Sequence, residues 1–240
     1  MAVLVLGATG TTGKLVAKLL LAKGYEVSAL VRSLDRVDSE LLSHKCMSVT
    51  EQTILDLTEN DQIELVRNYD AVICCLGHNL TFKGIYGHPR RLVADTTQRI
   101  CRAITTLQRE KPIKFILMST TGYQNTLGGE TVTWQHSAII ELLRLTLPPH
   151  VDNEEAARYL QHQIAEVGSP VEWVAVRPDS LTDESRVTEY TLHPSPTSDP
   201  LFASRQTSRI NVAHFMAELV SNDSLWQQWK FDLPVIYNKI

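Results

Sequence analysis

Hydrophobic positions along the chain fall into short unbroken runs, separated by stretches that repeat apolar residues with a helical period. Met1 to Leu6 is an apolar run of strand length, and Lys14 to Leu20 reads as a helix. Glu26 to Val31 is a second strand, entered through a Lys23-Gly24 helix stop and ending at Arg32-Ser33. A weaker helix is expected over Leu34 to Ser43, and Cys46 to Leu55 contains a third strand ending at Asp56-Leu57. Thr58 has the character of an N-cap, with acidic residues in the first turn of a helix running to about Asn68. Ala71 to Leu76 is apolar throughout, as strands covered on both faces are.

After a loop from Gly77 to Arg90, Leu92 to Leu107 is a long helix and Ile113 to Met118 a fifth strand, ending at Ser119. A helix from about Trp134 to Leu147 is expected to stop at Pro148-Pro149, and Asp152 with Glu155 to form a capping box for the next, which runs to about Val167. Val171 to Val176 is strand six, followed by Arg177-Pro178. Beyond Asp179 the pattern is weaker: a short strand at Thr188 to Thr191, a proline-rich loop from His193 to Pro200, a helix from Arg209 to about Val220 and a last strand at Leu233 to Tyr237.

Strands alternating with helices imply an α/β fold with a doubly wound parallel sheet. We expect one Rossmann domain over residues 1–240, with residues from about 179 to 240 forming a substrate-side extension of it. Ligands of such sheets lie beyond the carboxyl ends of the strands. The residues expected to line one crevice are therefore Gly7 to Gly13, Arg32-Ser33, Asp56-Leu57, Leu76-Gly77, Ser119-Thr120 and Arg177-Pro178.

Composition narrows the class. Hydrophobic residues make up 43% of the chain and charged residues 21%, enough apolar material for a substantial core. Twenty-three basic and twenty-seven acidic residues give a net charge of −4, with no basic block, so nucleic acid and anionic membranes are not expected partners. No run approaches a membrane span, and the apolar start is too short for a signal peptide. Cys46, Cys74, Cys75 and Cys101 lack Cys-x-x-Cys spacing, which suits reduced thiols in a cytoplasmic protein. The histidines form no metal-binding set, so no metal is expected. A small-molecule substrate and a monomer or weak homodimer are the expectation.

The chemistry starts at Gly7-Ala8-Thr9-Gly10-Thr11-Thr12-Gly13, which follows the first strand directly and opens the first helix. That arrangement aims backbone N–H groups and the positive end of a helix dipole at an anion, usually a pyrophosphate. The Gly-x-x-Gly-x-x-Gly spacing differs from the Gly-x-Gly-x-x-Gly fingerprint. Each glycine retains a role: leaving the strand, admitting phosphate, and packing the helix on the sheet. About twenty residues further on, where an acidic residue would receive the ribose hydroxyls, stand Arg32 and Ser33. An arginine beside a hydroxyl suits a 2′-phosphate, so NADP(H) is expected over NAD(H), with the nearby Asp35 as the complicating charge.

These residues, with Asp56-Leu57, Ser119, Trp173 to Pro178 and Thr207 to Ala213, resemble the atypical short-chain dehydrogenase/reductases, including NmrA-like proteins and the small flavin and biliverdin-IX-beta reductases. The resemblance spans roughly Met1 to Val220 and is specific for the cofactor half. It implies that Thr9, Gly10, Thr11 and Thr12 hold the pyrophosphate and that Arg32 takes the 2′-phosphate. It further implies that Asp56 and Leu57 flank the adenine, and that Cys75, Leu76 and Gly77 lie against the adenosine ribose. Ser119 and Pro178 then approach the nicotinamide.

The chain departs from most active members in having no Tyr-x-x-x-Lys, the pair in which lysine lowers the tyrosine's pKa for proton transfer. Tyr159 lies on the appropriate helix with Gln163 in the lysine's place, and Arg158 and Glu154 are alternatives there. Ser119 and Tyr159 are thus the candidate catalytic residues. Phe82, Tyr86, Tyr123 and Trp134 are candidate pocket walls. Two readings follow. One is an NADP(H)-dependent oxidoreductase acting on a small carbonyl or conjugated, flavin- or quinone-like substrate; the other is a non-catalytic NADP(H)-binding sensor of the NmrA-like kind.

Overall fold

In the computed structural model, residues 1–78, 87–130, 140, 147–164, 168–200 and 203–239 are described. The strands are β1 (Ala2–Leu6), β2 (Glu26–Val31), β3 (Met47–Glu51), β4 (Ala71–Cys74) and β5 (Ile113–Met118), then β6 (Val171–Pro178), β7 (Ser180–Thr182), β8 (Tyr190–His193), β9 (Gln206–Ser208) and β10 (Val235–Asn238). The helices are α1 (Thr11–Ala22), α2 (Ser39–Leu42), α3 (Glu59–Arg67), α4 (Leu92–Leu107), α5 (Pro148–Gln163), α6 (Arg209–Ser221) and α7 (Asp223–Trp229).

Eight strands form one sheet in the order β3-β2-β1-β4-β5-β6-β10-β8, parallel except for β8, which pairs antiparallel with β10. The crossover from β3 past β1 to β4 makes the sheet doubly wound and puts the topological switch between β1 and β4. This is a Rossmann-like α/β fold. β7 and β9 form a separate parallel pair.

Alternation along β1 shows why both sheet faces are covered. Val3 and Val5 join the core under α1, α6 and α7, while Leu4 and Leu6 join the core under α3, α4 and α5. A strand with apolar side chains on both faces needs a helical layer on each side, and the chain supplies both. Residues 179–239 are knitted into the same architecture, since β8 and β10 extend the main sheet and α6 packs on α1.

Several boundaries depart from the expectations. The stretch from Leu34 to Ser43 is not one helix. A 3₁₀ turn at Leu34–Arg36 is followed by extended Val37, and Asp38 then caps the short α2 through the Glu40 N–H. Pro148 and Pro149 begin α5, a position where a missing N–H costs nothing. The expected capping box of Asp152 and Glu155 therefore falls inside α5. Asp152 instead accepts the Val93 and Ala94 N–H groups and caps α4. The expected helix from Trp134 to Leu147 lies almost wholly outside the described residues. β7, β9 and α7 were not anticipated; Thr58 does cap α3, in a reciprocal box with Asp61.

Candidate functional site

The strand ends are level where the site forms: Leu6 of β1 pairs with Leu30 of β2 and with Cys74 of β4. Gly7 leaves β1 with φ +86°, and a Cβ there would stand 2.6 Å from the Cys75 carbonyl oxygen. A Cβ on Gly13 would stand 2.2 Å from the Gly7 carbonyl oxygen. These two glycines are required by the protein's own backbone.

Gly10 is different. It is exposed, its backbone is ordinary extended chain at φ −81°, and a Cβ would meet only the Gly7 carbonyl oxygen, at 3.2 Å. Packing constrains this position less than Gly7 or Gly13, through one tight contact with a carbonyl, and the rest of the space is open to a ligand. Gly10 is also the N-cap of α1, with no capping side chain and no acidic residue in the first turn. The first N–H groups of α1, from Thr11, Thr12 and Gly13, therefore lack intrahelical acceptors at the positive end of the helix dipole. The turn fits a pyrophosphate.

A crevice runs from this turn across β2 and β4. Its walls are Leu6, Gly7, Thr9 and Gly10; Leu30, Val31, Arg32 and Arg36; Gln52, Thr53, Ile54 and Leu55; Cys75, Leu76 and Gly77; and Leu92 and Thr96 of α4. Arg32 and Arg36 are both exposed, and among the described residues they form no ion pair and no carboxylate lines the crevice. Asp35 does not line it. The wall after β3 is held by three hydrogen bonds: Asp56 accepts the Thr53 hydroxyl at 2.7 Å, Gln62 donates to the Leu57 carbonyl at 2.9 Å, and Arg99 donates to the Leu55 carbonyl at 2.9 Å.

The structure thus brings Gly7, Thr9, Gly10, Arg32, Cys75, Leu76 and Gly77 together on one crevice. Thr11, Thr12 and Gly13 form the helix turn beneath it, and Ser33 precedes the 3₁₀ turn that carries Arg36. Asp56 and Leu57 sit behind the wall, because a 3₁₀ turn at Ile54–Asp56 presents Gln52 to Leu55 instead. Arg36, Gln52, Thr53, Ile54, Leu55, Leu92 and Thr96 were missed. Arg36, four residues after Arg32, was the one with a legible signal.

The other strand ends carry Ser119 and Pro178. Ser119 is 6% exposed; its N–H bonds the Val176 carbonyl, and its buried Oγ has no hydrogen-bond partner among the described residues. Pro178 is buried at the end of β6, and the carboxyl of the next residue, Asp179, is raised by burial. Arg177 does not face the crevice, since its guanidinium is wholly buried in contacts with other segments.

Tyr159 is elsewhere. It lines a groove between α3, α4 and α5 with Leu57, Arg99 and Arg102, and burial first, then Cys101, raises its phenol pKa. A catalytic tyrosine of the Tyr-x-x-x-Lys type needs the opposite shift. Of the alternatives on α5, Arg158 is exposed and Glu154 is buried 3.5 Å from His150. Tyr123 belongs to the core, its hydroxyl bonded to Gln161 at 2.6 Å; Phe82, Tyr86 and Trp134 lie outside the described residues. No group of three or more metal-ligating side chains occurs among the described residues.

A doubly wound sheet with a glycine turn opening α1 defines a dinucleotide-binding Rossmann protein. The chain belongs to the NAD(P)H-binding family, whose model matches residues 7–223. No curated protein matches the chain by sequence. Among solved structures, the oxidoreductase YlbE from Lactococcus lactis is 19% identical, with a TM-score of 0.68, covering 100% of this chain and 91% of that one. A wide-type short-chain dehydrogenase/reductase from Veillonella parvula, solved in complex with NADP, is 17% identical with a TM-score of 0.68, covering 99% and 94% of the two chains. ChuY, an anaerobilin reductase from Escherichia coli O157:H7, is 16% identical with a TM-score of 0.68, covering 99% and 97%. At these identities the likeness is one of fold, and it agrees with the resemblance to atypical short-chain dehydrogenase/reductases.

Proposed function

We propose that the protein is an NADP(H)-dependent oxidoreductase that reduces a small carbonyl or conjugated, flavin- or quinone-like substrate. The carrying observation is that Arg32 and Arg36 both line a crevice wall with no carboxylate among the described residues. An acidic residue at the end of β2 would receive ribose hydroxyls and repel a phosphorylated ribose; two guanidinium groups favour the phosphate.

Bound reduced dinucleotide supplies a hydride. The chain would supply the rest: the first turn of α1 would hold the pyrophosphate, the two arginines the 2′-phosphate, and Gln52 to Leu55 would wall the adenosine. With these groups at β1, β2 and β3, a bound nicotinamide would lie toward the ends of β4, β5 and β6, and Ser119, whose buried Oγ has no hydrogen-bond partner among the described residues, would be the hydroxyl on that side. The NADP complex and the reductase among the proteins of like fold support the reading by analogy.

The position of Tyr159 favours a second reading, a non-catalytic NADP(H)-binding sensor. Following nicotinamide absorbance with a panel of flavins, quinones and small aldehydes separates the two. Turnover of NADPH with any panel member supports the reductase; tight NADPH binding with no turnover supports the sensor. We read the protein as a cytoplasmic monomer or weak homodimer, in keeping with its four free cysteines. No helix among the described residues is long and apolar enough to cross a membrane.

A further inference from the structure

The crevice wall after β3 has a second side. The 3₁₀ turn at Ile54–Asp56 gives Ile54 and Leu55 to the crevice, while Leu57 and the start of α3 line a groove on its outer face. That groove runs between α3, α4 and α5 and has a volume of about 980 Å³. It is a ligand-sized space, separate from the surfaces assigned to the dinucleotide.

Its lining is amphipathic and positive on balance. Ile63 of α3, Ala103 of α4 and Ile164 after α5 give it apolar sides. Arg99 and Arg102, three residues apart on one face of α4, stand against a single lining carboxylate, Glu59. None of these three forms an ion pair among the described residues. The exposed Arg102 is hydrogen-bonded to the Tyr159 phenol, which burial first, and then Cys101, keeps protonated at neutral pH. Two guanidinium groups and a phenol beside apolar sides suit a carboxylate carried on a flat apolar body.

Groove and crevice are joined through shared hydrogen bonds. Arg99 Nη1 donates to the Leu55 carbonyl at 2.9 Å. Gln62, 4% exposed, donates to the Leu57 carbonyl at 2.9 Å and to the Ile54 carbonyl at 3.3 Å. The donors line the groove, whereas Ile54 and Leu55 line the crevice. Groove side chains therefore set where the crevice wall stands. Gln62 is buried with both bonds made. Arg99 is only half-buried, and it holds a carbonyl oxygen, a weaker acceptor than a carboxylate.

We propose that this groove is an effector site for an aromatic carboxylate, which weakens dinucleotide binding by drawing Arg99 off the Leu55 carbonyl. The proposal rests on the reading of the crevice as the dinucleotide site. The two ligands need different positions of one side chain. The dinucleotide takes the wall that Arg99 holds at Leu55, and the carboxylate takes the guanidinium turned to the groove. Coupling is therefore negative and, by linkage, equal in both directions. NADPH and NADH respond alike, because the wall meets the adenosine that both carry. Tyr159 has a binding role there that requires no reacting atom.

The test uses 2-naphthoate as the carboxylate, 2-naphthamide as its neutral counterpart, and Arg102→Ala, which removes an exposed side chain that does not line the crevice. Direct binding is followed by ligand-observed NMR without dinucleotide. NADPH and NADH are then titrated at rising 2-naphthoate and constant ionic strength. We expect 2-naphthoate to bind wild type, 2-naphthamide to bind far more weakly, and Arg102→Ala to lose most of the affinity. The apparent Kd of both dinucleotides should rise about fivefold or more and then level off. Arg99→Met should weaken both dinucleotides alike with no carboxylate present. A rise without a plateau marks competition for the crevice at Arg32 and Arg36, and would overturn the proposal. So would 2-naphthoate that does not bind, binding that leaves dinucleotide affinity unchanged, or an unaltered response in Arg102→Ala. Wild type that binds no dinucleotide would instead remove the crevice reading, while the NMR comparison with Arg102→Ala still decides the groove.

Discussion

Arg177 and Glu130 form a bidentate ion pair in the interior, with Nη2 2.7 Å from Oε1 and Nη1 2.9 Å from Oε2. The remaining guanidinium donors reach the carbonyls of Tyr123, Pro194 and Leu233, so all five N–H groups of a residue with no exposed surface are used. Glu130 Oε2 also accepts the Asn125 N–H at 2.7 Å. One side chain therefore ties the segment after β5, the loop after β8 and the approach to β10 to the end of β6. Arg177→Met should cost about 3–5 kcal/mol in denaturant unfolding, because it strands a buried carboxylate. Arg177→Met with Glu130→Leu should recover only part of that loss, since three carbonyls still lack donors.

The glycines of the first turn divide by what their missing side chains make room for. Gly13→Ala should destabilise the fold by at least about 2 kcal/mol, because its Cβ would press on the Gly7 carbonyl at 2.2 Å. Gly10→Val should leave cooperative unfolding in place and abolish dinucleotide binding, since its side chain would enter the space over the start of α1. Thermal unfolding and a dinucleotide titration of both variants check the division. Retained binding in Gly10→Val would contradict it.

His214 makes stability depend on pH. Burial first, and Lys23 more weakly, lower its pKa against the opposing pull of Glu218; Tyr190 OH lies 2.9 Å from its Nδ1. A histidine with a lowered folded pKa is held neutral in the folded state. Above the ordinary imidazole value of 6.5 both states are neutral and nothing changes. Below it the unfolded chain takes up the proton first, so stability falls with falling pH until the folded imidazole also titrates. The drop in Tm between about pH 7.5 and 5.5 should be smaller in His214→Gln than in wild type.

Much of this was legible in the chain, for reasons that differ by region. β2, α4 and β5 were read to the residue because each combines an uninterrupted period with clear stops at both ends. The glycine turn was legible because its chemistry is local: strand, turn and helix are contiguous. The wall after β3 was misplaced by a few residues because a 3₁₀ turn, pinned by Gln62 and Arg99 from two other helices, chooses which side chains face inward. Asp152 was misread because the helix that it caps is its neighbour α4 and not its own, a partnership between residues 59 positions apart. Tyr159 was placed on the right helix but on the wrong side of it, since α5 packs on α4 with Leu160 inward and turns the tyrosine toward Arg102.

The central claim is that this crevice takes the 2′-phosphorylated dinucleotide through Arg32 and Arg36. Its most direct test is a paired titration of NADPH and NADH against wild type, Arg32→Ala and the Arg32→Ala/Arg36→Ala double variant. The account predicts tighter NADPH than NADH binding in wild type. NADPH should weaken by about 1.5–3 kcal/mol in Arg32→Ala and further in the double variant, with NADH nearly unchanged. Equal wild-type affinities, or equal losses for both dinucleotides, would contradict it.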